Sequence, residues 1–363
     1  MTSIAIFPAH DDDVASSRIR AHSLHRSLVA LGHDARIGNP RGAEVIVIQK
    51  RATPETVALI KRARSDGALV IFDVDDTGPE LWYSTAPSVL RSIMQLVDVV
   101  TTDTEGHRAI LLRDYQARSV SVIPDTIDYY PAGPARPPLP DGERLRVLWF
   151  GHAENLPLFE RYVRTLERVP GLEIVVVTGA RAIEQLSARL PHVSFVPWSR
   201  ETFIGILQSC ALTLLPHDGS EGDRAKSNNR MIASITWGVP AVVSRTPEYE
   251  RTASEAHVEQ ASFADDEELL AAIESLRSAD ARRAYLDAAQ DEVWRRYSPE
   301  SVARQFLKVV GTAERLPAEV RQSSYLRWLH RASQGHMPSA LRHEATHRAS
   351  WILHGNRSGG AGQ

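Results

Sequence analysis

Cysteine is almost missing from this chain: its 363 residues contain one, Cys210. No internal disulfide can form, which predicts folding in a reducing compartment, and the apolar neighbours of Cys210 predict a buried thiol rather than a nucleophile. Long apolar runs are missing as well. No 18-residue segment is apolar enough to predict a membrane span, and the opening MTSIAIFPAHDDD lacks the basic start and apolar length of a signal peptide. Together these absences predict a cytoplasmic protein. Net charge of one sign is also scarce, at -3 overall, so no bulk field favours nucleic acid as a partner.

What is present is ordinary globular material. Hydrophobic residues make up 43% and charged residues 24%, as in soluble domains generally, and the length exceeds one typical core, predicting two domains with extras. Short apolar runs alternate with amphipathic stretches. Strands are predicted at 3–8, 35–37, 44–49, 68–72, 97–101 and 120–124, with helices at 18–31 (capped by Ser16 and Ser17), 54–65, 87–96 and 105–113. Such alternation predicts a parallel sheet covered on both faces. His10, Asp73, Asp103 and Pro124 fall at the carboxyl ends of strands, where open α/β sheets bind ligands. The run PAGPARPPLPD at 131–141 carries too much proline for helix or sheet and predicts a linker. After it the alternation restarts: strands at 146–150, 173–178 and 193–196, helices at 158–168, 180–189 and 200–208. Helical segments then fill 265–297, and Ser298-Pro299-Glu300 opens a last helix.

The stretch Leu214 to Ser244, LLPHDGSEGDRAKSNNRMIASITWGVPAVVS, organises this second half. It reads as strand, polar loop, helix from about 228 to 237, Gly-Val-Pro turn and strand, a βαβ unit. Arg224, Lys226, Asn229 and Arg230 gather where that helix begins, and a helix start attracts anions through unpaired N–H groups and its dipole. Two α/β halves meeting at a cleft predict a small-ligand site between them.

Six motifs in order then resemble the GT-B glycosyltransferases, in particular the group-1 type that uses nucleotide-sugar donors. They are SSRIRAHSLHRSLVALGHD, FDVDDTGPELW, VDVVTTDTEGHRAIL with VSVIPDTID, VLWFGHAENL, VPWSRE, and KSNNRMI followed by GVPAVVS. The resemblance covers roughly Ile4 to Val310. It implies two Rossmann-like α/β domains facing a central cleft, with a C-terminal helical tail. The expected divisions are an acceptor-side domain at 1–130, the linker at 131–144 and a donor domain at 145–297. A helix at 298–316 would cross back to the first domain, leaving a tail at 317–363.

Several roles follow by resemblance. Lys226 and Arg224 would meet the donor phosphates, with Asn229 and Arg230 beside them. Gly151 would let the backbone approach closely, with His152 alongside, and Trp198 would border the base. From the first domain, Ser17 and Arg18 would close over the phosphates, Arg18 being grouped with the catalytic residues. His10 or Asp11 would meet the acceptor hydroxyl as general base. Asp73, Asp75, Asp103 and Glu105 would face the acceptor. Cationic side chains doing the phosphate work imply no metal and no cofactor, the nucleotide sugar being a substrate. The acceptor would be a glycan or lipid-linked glycan, in bacterial surface polysaccharide or glycoconjugate synthesis at the inner face of the membrane. Two departures stand out: Ala233 occupies the place of the glutamate that grips the ribose, and Gly151-His152-Ala153-Glu154 lacks the expected arginine and lysine pair.

Other readings compete. Ala233 favours a non-catalytic homologue that binds nucleotide or glycan. Asp73-Val74-Asp75-Asp76-Thr77 after an apolar strand is similar to the haloacid-dehalogenase phosphatase motif. His343-Glu344-Ala345-Thr346-His347 matches a zinc-protease pattern, but only 16 residues remain to supply a third ligand, so no metal is assigned. The run Asp11-Asp12-Asp13 has no calcium-loop spacing. The tail mixes Arg321, Arg327, Arg331, Arg342 and Arg348 with Tyr325, Leu326, Trp328, Trp351, Ile352 and Leu353. That mixture suits a helix lying on anionic lipid, or one packed on the body, with 358–363 fraying.

Overall fold

The structure, a computed structural model, describes residues 1–76, 87–140 and 144–316. Among these residues are two six-stranded parallel sheets, each the centre of a Rossmann-like domain. The first sheet comprises β1 (Ser3–Phe7), β2 (Asp34–Ile37), β3 (Val45–Gln49), β4 (Leu69–Asp73), β5 (Val99–Thr102) and β6 (Val120–Val122), in the order β2-β1-β3-β4-β5-β6. The second comprises β7 (Leu145–Phe150), β8 (Leu172–Thr178), β9 (Ser194–Pro197), β10 (Leu212–Leu215), β11 (Ala241–Ser244) and β12 (Ser262–Phe263), in the order β12-β11-β10-β7-β8-β9. Every residue of β3, β4, β10 and β11 is buried. That is why these strands read as continuous apolar runs rather than alternations: helices cover both faces of a parallel sheet.

Two local expectations are corrected, and two further elements are found. Ser16 and Ser17 do not cap a helix at Arg18. The chain turns helical at Ala15–Ser17 and widens to π-type turns over Arg18–His22 before the regular helix Ser23–Ala30. Ser17 faces inward instead, its hydroxyl donating to Gln49 Oε1 at 2.9 Å. The polar loop after β10 contains a short helix, Glu221–Ala225, capped by Ser220. A helix at Pro247–Glu255 and the two-residue β12 complete the second domain.

The proline-rich run is a strap rather than a free linker. Its carbonyls at Ala135 and Pro140 accept from buried Gln290 and Arg282, and the Ala135 N–H donates to the Thr236 carbonyl. Gly238 lies under it with φ +88°, where an added Cβ would come within 2.5 Å of Pro137.

The crossings between domains lie elsewhere, side by side. The Thr126 hydroxyl and Ile127 N–H both donate to the Tyr297 carbonyl at 3.1 Å. Directly after that crossing, Ser298 caps the helix Pro299–Thr312 by accepting from the Ser301 N–H. Val302 and Phe306 of this helix bury themselves in the first domain against Ile4, Ile6 and Leu28. Full burial of two such side chains contributes roughly 1.5–3 kcal/mol each. The expected basic and aromatic tail, the His343–His347 pattern and the end of the FDVDDTGPELW motif lie outside the described residues.

Candidate functional site

Ligands of an open α/β sheet settle beyond the carboxyl ends of the strands that flank the point where strand order reverses. In the second sheet those strands are β7 and β10, adjacent in space though β8 and β9 intervene in the chain. Strand β7 runs out through Phe150 into Gly151, and β10 through Leu215 into Pro216 and His217. Arg230, in the first turn of the helix Asn229–Thr236, reaches into the angle between them. It donates to the Phe150 carbonyl at 3.3 Å and faces His217 Nε2 at 3.2 Å. Arginine only donates, so Nε2 must accept, and Nδ1–H is left for Asp223 Oδ2 at 3.2 Å.

Charge states follow from this chain of contacts. Burial pushes the His217 ring below the ordinary histidine range; Asp223 pulls the other way, while the Arg230 charge adds to the burial. The ring is therefore neutral at pH 7. Burial alone would raise Asp223, but hydrogen bonds from His217 and the Asp218 N–H hold it well below the usual carboxylate range. Lys226 completes the group, its ammonium 3.1 Å from Asp223 Oδ1 and 3.4 Å from Asn155 Oδ1. A Cβ on Gly151 would sit 3.3 Å from the Trp149 ring and 3.4 Å from the Arg230 guanidinium, so the glycine turn lies directly against both. Two cations, a glycine turn and a helix N-terminus thus converge at one point, an arrangement suited to phosphate oxygens.

The first domain meets this point edge to edge. The Ser227 hydroxyl donates to Asp125 Oδ2 at 2.6 Å, and the Thr104 hydroxyl to the Ala225 carbonyl at 2.6 Å. At the other end, Arg200 reaches Asp12 at 2.9 Å, and Asp12 also accepts from Tyr130. Burial, reinforced by the Asp103 charge, pushes Asp125 up to about 7.

The structure distributes the sequence-predicted residues unevenly. Gly151, Lys226 and Arg230 come together at the reversal point, with Asn229 beside Arg230 at the helix start. Arg224 is exposed on the short helix before them, His152 is exposed and 3.8 Å from Glu154, and Trp198 donates to the Tyr129 hydroxyl at 3.4 Å. His10 and Asp11 lie on an exposed loop. Arg18 is committed beneath that loop, only 1% exposed, with both outer nitrogens engaged: a two-pronged pair with Asp128 at 2.7 and 2.8 Å, and bonds to the Asp12 and Asp13 carbonyls. Ser17 is likewise buried, accepting from the His10 N–H.

Asp73 is gripped by Arg20 at 2.6 and 3.1 Å and by the Thr101 hydroxyl at 2.7 Å. A carboxylate so held and only 6% exposed is committed to Arg20, which weighs against it as the nucleophile of the phosphatase reading. Asp75 pairs with Lys50 at 2.7 Å, and Glu105 is exposed beside Arg108. Asp103 and His107 are buried together at 2.5 Å. Burial opposes a charged ring, yet the adjacent Asp103 carboxylate outweighs it and raises the affinity of His107 for a proton. Sequence reasoning missed His217, Asp223, Asp125 and Ser227. Only His217 was signalled, by its place just past the strand that borders the reversal.

Comparison with known proteins bears out the fold. A family model described as glycosyl transferase-like matches residues 160–308. Among solved structures, sucrose-phosphate synthase from Thermosynechococcus elongatus superposes with a TM-score of 0.62 at 15% identity, covering 86% of this chain and 98% of that one. HepE from Anabaena, in complex with UDP and glucose, gives 0.58 at 11% identity, covering 86% and 100%. A trehalose-6-phosphate structure from E. coli bound with UDP-2-fluoro glucose gives 0.54 at 14%, covering 82% and 78%. No curated protein matches the sequence. The chain has the GT-B fold.

Proposed function

We propose, starting from that GT-B fold, that the protein transfers a sugar from a nucleotide-sugar donor to a hydroxyl acceptor. The donor diphosphate would sit in the crevice between β7 and β10, and the acceptor against the carboxyl edge of the first sheet. One observation carries this reading: Gly151, His217, Lys226 and Arg230 converge where the strand order reverses. The departing nucleoside diphosphate gains negative charge, and fixed donors aimed at it lower the barrier. Arg230 and Lys226 supply the charge and the helix start at Asn229 supplies N–H groups. Neutral His217, held by Asp223, orients Arg230 without adding a competing positive charge. The phosphate work falls to protein groups, so the reading calls for no metal.

On the acceptor side, His10 and Asp11 are accessible enough to act as general base, which requires approach to within about 3 Å of the hydroxyl. A glycan or lipid-linked glycan is the acceptor class we favour, in surface polysaccharide or glycoconjugate synthesis on the cytoplasmic face of a membrane, with the basic and aromatic tail resting on lipid. One observation favours a second reading. Ala233, where the sequence resemblance calls for glutamate, is buried at 3% exposure and offers no grip on a ribose; a protein that binds nucleotide without turnover would tolerate this.

Calorimetry with UDP, GDP, dTDP, CMP and ADP tests the site, UDP first because two of the similar structures hold UDP or a UDP-sugar. Binding of one nucleotide, lost in Lys226→Ala and Arg230→Ala, is the expected result. No binding across the panel refutes the donor site. Binding without hydrolysis or transfer of the matching sugar donor, whatever acceptor is supplied, selects the non-catalytic reading.

A further inference from the structure

The first domain carries a second concavity, on the far side of its sheet from the cleft. A groove of about 570 Å³ opens at the amino-terminal ends of β3 and β4, beside the helix Pro54–Ser65. Ile46, Leu59, Ala63 and Ala68 lie at its base, all but Leu59 buried. Arg41, Arg62 and Arg315 stand exposed on its rim, together with the carboxylates Glu44 and Asp66. Glu44 accepts from the Ser3 N–H, and Arg315 donates to the Gly67 carbonyl. Among the described residues no ion pair forms at any of these five, so the guanidinium groups keep their charge for an outside partner.

The path of the chain gives the groove its meaning. Leu316 is fastened beside it: its N–H donates to Asp98 Oδ1 at 2.8 Å, and its carbonyl accepts from Arg64 at 3.1 Å. The described chain therefore ends at this end of the domain. The 47 residues from 317 to Gln363 hold six arginines, no lysine, two glutamates and no aspartate, with Tyr325, Trp328 and Trp351 among them. Rim and tail carry the same sign, so the tail is not a complementary occupant of the groove. Both suit one partner of opposite charge, and the aromatic residues favour an interface over a nucleic acid.

We propose that this end of the first domain docks on an anionic phospholipid surface, a headgroup phosphate at Arg41, Arg62 and Arg315. The idea deepens the lipid role given to the tail and rests on no step of sugar transfer. Each cation near an anionic bilayer strengthens binding about fivefold at moderate salt.

Flotation of the full-length protein with phosphatidylcholine vesicles, and with vesicles containing phosphatidylglycerol, tests it. The wild type should float only with the anionic vesicles and be released as salt shortens the Debye length. The double variant Arg41→Glu/Arg62→Glu should bind about 25-fold more weakly or worse, two cations being lost. A matched control on the second domain, Arg168→Glu/Arg181→Glu, should bind as the wild type does, and circular dichroism should show all three folded alike. Equal loss in the control, or full binding by the groove variant, overturns the groove. No flotation of the wild type overturns the tail reading with it. Calorimetric binding of soluble glycerol phosphate without flotation would replace the lipid surface with a free anion.

Discussion

Gly106 offers a perturbation whose effects on folding and on closure have opposite signs. It is the second residue of the helix Glu105–Asp114, and Ala225 of the other domain lies across from it. A Cβ at 106 would fall 2.7 Å from the Ala225 Cα and 3.1 Å from its Cβ, so the domains cannot stay this close in Gly106→Ala. Within its own helix the methyl group is welcome, alanine being favoured over glycine by up to about 1 kcal/mol. Relief must come from opening, which breaks the hydrogen bonds from Thr104 to the Ala225 carbonyl and from Ser227 to Asp125, both 2.6 Å. The first is worth about 1 kcal/mol and the second, to a carboxylate, about 1.5–3. Their loss shifts the closed-to-open ratio on the order of a hundredfold. Small-angle scattering should show a larger radius of gyration. The melting temperature should hold or rise slightly. An unchanged radius, or a collapse in melting temperature, would refute the reasoning.

Other tests follow from the buried charges. Asp125, raised to about 7, binds a proton in the native state that the unfolded chain, titrating near 4, has already released. Its contribution to stability is therefore present at low pH and lost as pH rises from about 4 to 7; Asp125→Asn should flatten that slope in urea titrations, and an unaltered slope would assign it to other groups. Asp73→Asn leaves Arg20 short of its two-pronged partner and should cost about 3–5 kcal/mol in chemical denaturation, while the wild type should show no aryl phosphatase activity. Gly238→Ala places a side chain at φ +88° and against Pro137, and should lower stability by about 1–3 kcal/mol.

The fold was largely legible because parallel strands buried on both faces announce themselves as short apolar runs. Val45–Gln49 and Leu69–Asp73 could hardly be read otherwise. Strand β12 escaped because two residues have no period. The strap at 131–140 looked like a linker because proline content reports what a segment cannot form, not what it packs against. The site was half legible. Glycine after a strand and cations at a helix start are local patterns, and Gly151, Lys226 and Arg230 obey them. Arg18 and Asp73 looked available because their partners, Asp128 and Arg20, are 110 and 53 residues away, and no spacing rule connects them. Asp125 meets Ser227 only because the domains meet.

The helix that returns to the first domain has a consequence for how the chain is made. Ile4, Ile6 and Leu28 emerge early from the ribosome, yet Val302 and Phe306, which cover them, come near the end of the described chain. Between the end of β6 at Val122 and Phe306 the whole second domain must be translated, which takes roughly 10–40 s at bacterial and eukaryotic elongation rates. For that interval the nascent first domain presents an open apolar face that its own sequence cannot close. The second domain closes no such gap in the first and can fold as soon as it appears. Chaperone demand should therefore fall on the half made first, and a fragment stopped before residue 298 should be held or degraded rather than accumulate.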